Sequence, residues 1–261
     1  MTNIEAFIGW PPLYTRQVNE ASRNKQLSIW TQIILNYMRD NSKHTASKHK
    51  YIFDANLAIT QMPFTNDKIS KSLSMEFLLE IMTYMVHKQQ QPLQQQSDTS
   101  AMKVGCLAEW LDDLTERLIG KQQPSNTTAT KDKTKATILS NTKDTSSIHS
   151  DKPKTRCIVW WKRPEELLMP LLRWLEDCGE RGNIFTVYDF VQGSSDNDEN
   201  GDGDDVSGSD YAHLGYAGME AEVFLAMLGH LKANSAAYGV KVELYPGGEV
   251  GNYLEWGIQF L

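Results

Sequence analysis

The chain has 261 residues and a formal net charge of −7, and 40% of its residues are hydrophobic. The stretch 194–210 carries seven acidic residues and no basic one, so the rest of the chain is close to neutral. A near-neutral remainder lacks the positive field of a general nucleic-acid binder, and that class is disfavoured. The three cysteines (106, 157 and 178) form no C-x-x-C pair, which predicts reduced thiols rather than a disulfide framework.

Three low-complexity stretches cannot contribute to a hydrophobic core: Gln-rich 88–101, Thr/Ser/Lys-rich 120–155 and Asp/Gly/Ser-rich 194–210. The remainder is long enough for two small domains of roughly 95 residues each. We therefore predict an arm over 1–16, a first domain over 17–161 that contains the first two inserts, and a second domain over 162–261 that contains the acidic insert.

The arm contains the sequence Trp10-Pro11-Pro12-Leu13-Tyr14, with an aromatic residue at each end. Two prolines fix φ and lack amide donors, which favours an extended polyproline-II segment. Such a stiff segment suits docking into a groove of another protein, and these five residues are the predicted partner-binding residues. Two alternatives remain open: the arm packs back on its own domain, or Pro-Pro-Leu-Tyr is a free PPxY ligand for a WW domain.

The first domain reads as three helices and two strands, and one of these helices is a short one predicted over 67–73. Apolar residues recur at helical spacing from Leu27 to Met38, after a candidate N-cap at Asn19. A second firm helix follows a candidate cap at Ser74, with a predicted buried stripe of Met75, Leu78, Leu79, Met82 and Met85. The stretches 107–111 and 157–161 are predicted strands, so this order is typical of a winged-helix domain.

The second domain repeats that order. A helix is predicted to start at Pro164, with a kink at Pro170 or a true start there, because a proline inside a helix removes a hydrogen bond. A short strand and helix over 185–191 and a helix over 219–231 come next. Alternating residues over 240–244 and 256–260 then predict a β-hairpin. The expected fold is α+β, mainly α, with two tandem winged-helix domains.

Few residues predict chemistry. Winged helices often bind DNA through their third helix, but stretches 74–88 and 217–233 offer one lysine each against two glutamates. The Asp196–Asp204 run matches nine positions of an EF-hand loop, yet Ser207 stands where a bidentate Glu is required. Insert 120–155 is basic and could at most approach an anionic membrane. We predict no catalytic residues, no metal and no cofactor.

Four short segments of the sequence resemble those of a known family. The runs are 10–17, 23–30, 160–166 and 183–189, which begin with Trp10-Pro11-Pro12, Arg23-Asn24-Lys25, Trp160-Trp161-Lys162 and Asn183-Ile184-Phe185 respectively. They resemble the vacuolar protein-sorting-associated protein 25 family, the small subunit of the endosomal ESCRT-II complex, over nearly all of the chain outside the inserts. The resemblance implies the same tandem winged-helix fold.

The resemblance also implies a non-enzymatic function. In that family two copies of the small subunit dock on two larger subunits through a proline–aromatic segment, here Trp10, Pro11, Pro12, Leu13 and Tyr14. A preceding motif is usual, but Phe7-Ile8-Gly9-Trp10 lacks its proline. The C-terminal domain of the family recruits the ESCRT-III initiator subunit for sorting ubiquitinated cargo into multivesicular bodies. The alternative is a winged-helix protein of nucleic-acid binding or transcription.

The same reasoning predicts where the protein acts. The start of the chain shows no signal-peptide pattern, and no run approaches ~18 apolar residues. We therefore expect a cytoplasmic protein that reaches the endosomal membrane only indirectly, through its partners.

Overall fold

The structure, a computed structural model, describes residues 7–44, 50–87, 107–119, 153–192, 211–248 and 251–261. The first domain is built from four helices and five strands in these residues. In chain order they are α1 (Glu20–His44), β1 (Ile52–Asp54), α2 (Ala55–Ala58), β2 (Thr65–Asn66), β3 (Lys71–Ser72), α3 (Met75–His87), β4 (Ala108–Trp110), α4 (Leu114–Ile119) and β5 (Arg156–Val159).

The two long helices of this domain begin at the predicted caps. The side-chain oxygen of Asn19 accepts from the Ser22 amide at 3.0 Å, and the hydroxyl of Ser74 accepts from the Phe77 amide at 3.3 Å. Each bond satisfies an amide that has no partner within the first turn of its helix. The local sequence therefore sets both starting points.

A three-stranded antiparallel sheet closes the first domain, in the order β1-β5-β4. Cys157 of the central strand lies opposite Phe53 on one side and Trp110 on the other. Below the sheet, Trp30 of α1 stacks on Phe64 with ring centroids 5.8 Å apart. The last strand of the domain thus joins the first strand to the wing, as in a winged helix.

The buried stripe of α3 differs from the predicted one. Leu78, Met82 and Met85 are buried as expected, whereas Met75 and Leu79 are only half-buried. Phe77 and Ile81 are buried in their place. The helix is apolar on more than one side, so its periodicity alone could not fix which side faces the core.

The second domain repeats this topology with α5 (Pro164–Cys178), β6 (Ile184–Thr186), α6 (Val187–Val191), α7 (Ala221–Ala233), α8 (Ser235–Tyr238), β7 (Val242–Tyr245) and β8 (Gly257–Phe260). Its sheet has the order β6-β8-β7, in which the last strand is again central. Both domains are therefore winged helices, and the predicted fold class is confirmed.

Pro170 lies inside α5, which begins at Pro164, so the suggested late start at Pro170 is wrong. The buried hydroxyl of Tyr216 donates to the Leu167 carbonyl at 2.6 Å and accepts from the Leu171 amide at 3.3 Å. An uninterrupted helix would join these two backbone groups directly. A side chain from outside the helix thus satisfies backbone groups next to a residue that disturbs helical hydrogen bonding.

Candidate partner-binding interface

The proline–aromatic segment is not extended. Residues Pro11–Tyr14 form a 3-10 helix. The Leu13 amide donates to the Trp10 carbonyl at 3.0 Å, and the Thr15 amide donates to the Pro12 carbonyl at 3.3 Å. The prediction of a polyproline-II conformation is therefore wrong. A proline φ near −65° is compatible with both conformations, so these local bonds and the contacts of the segment with α1 decide between them.

Two side chains of α1 hold this turn in place. The Trp30 indole donates to the Leu13 carbonyl at 3.0 Å, and the Gln26 amide group donates to the same oxygen at 2.8 Å. Gln26 also donates to the Thr15 carbonyl at 2.9 Å. Because Gln26 and Trp30 are buried, these bonds tie the backbone of the arm to the core of the first domain.

Tyr14 anchors the end of the turn. Its hydroxyl donates to the carbonyls of Pro63 at 3.0 Å and of Ile8 at 3.1 Å. Its ring meets Trp30 edge to face, with centroids 5.5 Å apart, and burial raises the pKa of the phenol. Tyr14 therefore connects the arm, helix α1 and the turn before β2.

The five predicted docking residues separate into two groups. Leu13 and Tyr14 are 1% and 5% exposed and belong to the core of their own domain. Trp10 is 52% exposed, and Pro11 and Pro12 are also exposed. This corrects the expectation that all five present a surface to a partner: as folded, Leu13 and Tyr14 are anchors, and only the first three residues can be contacted from outside.

The same geometry bears on the WW-domain alternative. A WW groove binds proline-rich ligands in the polyproline-II conformation. Here Pro-Pro-Leu-Tyr is a 3-10 turn whose tyrosine is buried. The motif would have to leave the core and change conformation before it could bind, so the structure disfavours this alternative.

The third helix of each domain is unsuited to a DNA groove, for different reasons. Helix α3 contains no Lys or Arg, and its Glu80 carboxylate pairs with Arg16 at 2.5 Å and lies 3.6 Å from Arg23. Helix α7 is sheltered: its residues from Val223 to Leu228 are all buried. A recognition helix must present one face to base edges, so charge excludes α3 and burial excludes α7.

Helix α4, which the sequence did not predict, covers part of α7. It belongs to the wing of the first domain and packs across the domain boundary. The Lys232 ammonium donates to the Leu118 carbonyl at 3.0 Å, and the hydroxyls of Thr115 and Tyr253 lie 3.1 Å apart. A Cβ added at Gly229 would stand 2.9 Å from a methyl of Leu118, so only glycine permits this approach without a shift.

Glu109 lies at the centre of this boundary and is 3% exposed. Its carboxylate accepts from the Trp160 indole at 3.0 Å, lies 2.5 Å from Nε2 of His230, and pairs with the Arg117 guanidinium. Burial alone would raise the pKa of Glu109, but His230 and Arg117 together lower it from 4.5 to about 2. The carboxylate is therefore ionised and held from both domains.

No pattern in the sequence reveals this cluster. Glu109 lies in the predicted strand 107–111, and nothing in that pattern indicates which way its side chain faces. The position of Glu109 beside Ala108, in a strand with apolar neighbours, is a signal that the strand is buried. It does not identify His230 as the partner. Only the docking of the domains brings His230 to Glu109.

Several sequence predictions concern residues outside the described part of the chain. They include the EF-hand-like run in 194–210, the basic insert 120–155 apart from its last residues, and the Gln-rich insert. Within the described ranges, no group of three or more His, Cys, Asp or Glu residues could hold a metal ion. Of the helices in those ranges, none has both the length and the apolar character needed to cross a membrane.

Comparison with known proteins gives a consistent result. A family model described as an ESCRT-II complex subunit matches residues 7–131 and 117–202. Vacuolar protein-sorting-associated protein 25 of Xenopus laevis is 24% identical over 206 residues, which cover 78% of this chain and 79% of the relative. The protein of the same name from Saccharomyces cerevisiae is 24% identical over 208 residues, covering 74% and 78% of the two chains.

Solved structures share the fold. A chain in the crystal structure of the endosomal complex ESCRT-II (VPS22/VPS25/VPS36) has a TM-score of 0.50 at 20% identity and covers 99% of this chain and 100% of that chain. A second ESCRT-II endosomal trafficking complex gives a TM-score of 0.50 at 18% identity, covering 97% and 96%. Both likenesses extend over both winged helices.

Proposed function

This chain belongs to the ESCRT-II complex subunit family, and on that premise we propose that it is the small, non-enzymatic subunit of an ESCRT-II assembly. Its partners are two larger subunits, corresponding to the VPS22 and VPS36 that accompany VPS25 in the solved endosomal complex. Two copies of this chain join one assembly. The site that docks on a larger subunit is the exposed start of the 3-10 turn: Trp10, Pro11 and Pro12.

The observation that carries this proposal is the exposure of Trp10 on a backbone that is already fixed. The indole is 52% exposed, while the next four residues form a turn held by Gln26, Trp30 and Tyr14. Covering roughly 100 Å² of apolar surface contributes roughly 2–3 kcal/mol to an interface. Because the turn is ordered before binding, little of that gain is lost to ordering the backbone.

Leu13 and Tyr14 then contribute to docking indirectly. Their burial in the first domain sets the direction in which Trp10 points, and the rigid turn transmits that direction. Residues that preorganise a binding group can matter as much as the group itself. A larger subunit would therefore contact the turn without contacting its two anchors.

The second domain supplies the other half of the proposed function. In this proposal residues 162–261 recruit the initiator subunit of ESCRT-III to the endosomal membrane, where ubiquitinated cargo is sorted into multivesicular bodies. The support is family membership together with a complete second winged helix. The protein would reach the membrane from the cytoplasm through its partners.

Co-expression with the two larger subunits followed by native mass spectrometry tests the docking site. Trp10→Ala should abolish incorporation of the chain into the assembly while its circular dichroism and melting temperature stay unchanged. Ile184→Ala is the matched control, because it removes an apolar side chain that is 69% exposed in the second domain. Full incorporation of the Trp10→Ala chain would refute the proposed docking site.

A further inference from the structure

We propose that Glu109 is an interdomain latch, a buried carboxylate that fixes the orientation of the two winged-helix domains relative to each other. Its three hydrogen-bonding partners come from three places. Trp160 follows β5, Arg117 lies on α4, and His230 lies on α7 of the second domain. Only the docked arrangement of the domains supplies all three to one carboxylate.

The loss of solvation on burial makes the bonds to Glu109 hard to break. An ionised carboxylate removed from water loses several kcal/mol of solvation unless donors replace the water. The His230 side chain is 16% exposed, so its contact with Glu109 is also largely sheltered from solvent. If the second domain rotated away, the carboxylate would lose this partner while Trp160 still held it against the first domain.

Apolar packing at the boundary is extensive, since Leu114, Leu118 and Trp160 are buried in one cluster with the core of the second domain. A cleft of about 320 Å³ remains between α4 and α7, and its lining includes both apolar residues such as Leu114 and Leu118 and the latch residues Glu109, Arg117 and His230. Apolar contact is non-directional, and a partly open seam can be repacked in several ways. A charge-assisted hydrogen bond, by contrast, fixes both distance and direction.

Among the described residues, the boundary has further polar links. One joins the Glu220 carboxylate to the Tyr51 backbone, and the bonds made by Lys232 and Thr115 are weaker constraints than the one to Glu109. Lys232 is an exposed residue and Thr115 is half-buried, so water can replace either bond at low cost. Water cannot replace the bond to Glu109 so easily, because Glu109 is 3% exposed although it borders the cleft. The latch therefore determines how the second domain is presented relative to Trp10 on the first.

Double electron–electron resonance on the full chain tests this inference. Nitroxides at Leu57→Cys and Ile184→Cys report the distance between the domains, since those positions are 67% and 69% exposed. Cys106 and Cys178 are replaced by Ser, while Cys157 is fully buried and stays. The parent chain should give one narrow distance distribution.

Two variants remove the latch from opposite sides. Glu109→Gln keeps an acceptor for Trp160 but removes the charge, and His230→Ala removes the partner on the second domain while leaving the first domain intact. Each should widen the distance distribution at least twofold. Glu116→Gln is the matched control, because it removes the same charge from an exposed position of α4 and should leave the width unchanged.

Unchanged widths in both latch variants would overturn the proposal, as would equal widening in the control. If Glu109→Gln fails to fold, His230→Ala decides the matter alone. The readout is independent of any partner, so the latch and the docking site at Trp10 stand or fall separately.

Discussion

Replacing Tyr14 tests whether the arm is part of the first domain in solution. Tyr14→Phe keeps the ring against Trp30 but removes the hydroxyl that donates to Ile8 and Pro63. A buried carbonyl left without its donor costs about 1–2 kcal/mol. Tyr14→Ala also removes a ring that is 5% exposed, and truncating a buried aromatic side chain costs about 3–5 kcal/mol.

Urea titration followed by hydrogen-exchange mass spectrometry separates the two domains. Peptides from α1 report the first domain, and peptides from α5 report the second. With a urea m-value of about 1–3 kcal/mol per M, Tyr14→Ala should lower the α1 midpoint by at least about 1 M. The α5 midpoint should move much less. Tyr188→Ala is the control, because that tyrosine is 50% exposed on α6.

An unchanged α1 midpoint in Tyr14→Ala would refute the reasoning. It would mean that the arm does not pack on α1 in solution and that Tyr14 is free to meet a partner directly. A shift confined to α1 would show that assembly defects of Tyr14 variants contain a folding contribution. For that reason Trp10→Ala is the cleaner test of docking.

Three further predictions concern the second domain and the domain boundary. Tyr216→Phe removes the hydroxyl that bonds both the Leu167 carbonyl and the Leu171 amide, and should destabilise the second domain by about 1–3 kcal/mol. The urea midpoint of α5 peptides measures this loss, and a midpoint equal to that of the parent would contradict the prediction. Gly179→Ala should lower the free energy of unfolding by about 1 kcal/mol, because φ is +66° at this position while an added Cβ would meet no atom within 4 Å. A lower melting temperature measures this loss, and a much larger one would indicate a steric clash that the structure does not contain. Because the folded pKa of Glu109 lies below its unfolded value, its contribution is complete above pH 4.5 and should be lost as the pH falls towards about 2. The loss is roughly 3 kcal/mol, and stability measured against pH should be flatter in Glu109→Gln; identical curves would argue against an ionised buried carboxylate.

Local signals in the sequence predicted much of the fold. Asn19 and Ser74 cap their helices because a cap needs only the residues of one turn. The alternation over 256–260 predicted β8 because one face of that strand is buried and the other is not. Strand and helix order then sufficed for a winged helix, although in each sheet the last strand also pairs with the first strand of its domain, far away in the sequence.

The conformation of the arm could not be predicted in this way. Prolines restrict φ without choosing between a 3-10 turn and an extended segment. The choice depends on Gln26 and Trp30, which lie in the following helix and reach back to the Leu13 carbonyl. A sequence pattern contains no record of that approach.

The contacts between the two domains could not be predicted from the sequence for a related reason. Helix α4 spans only Leu114–Ile119, too short a segment for a period to stand out. Its stability comes from contact with α7, which is more than one hundred positions away in the chain. Glu109 is buried at the same boundary, where His230 approaches from 121 positions away in the chain, so no local pattern indicates its partner.

The shelter over α7 makes the two halves of the molecule unequal despite their common topology. Helix α3 exposes Glu76 and pairs Glu80 with Arg16 near the surface, whereas residues Val223–Leu228 of α7 are buried and the wing helix α4 packs on α7. The two domains are therefore not interchangeable, because α7 accommodates Leu118 of α4 at Gly229, where a side chain would clash. Two domains with the same fold thus present different surfaces in this protein.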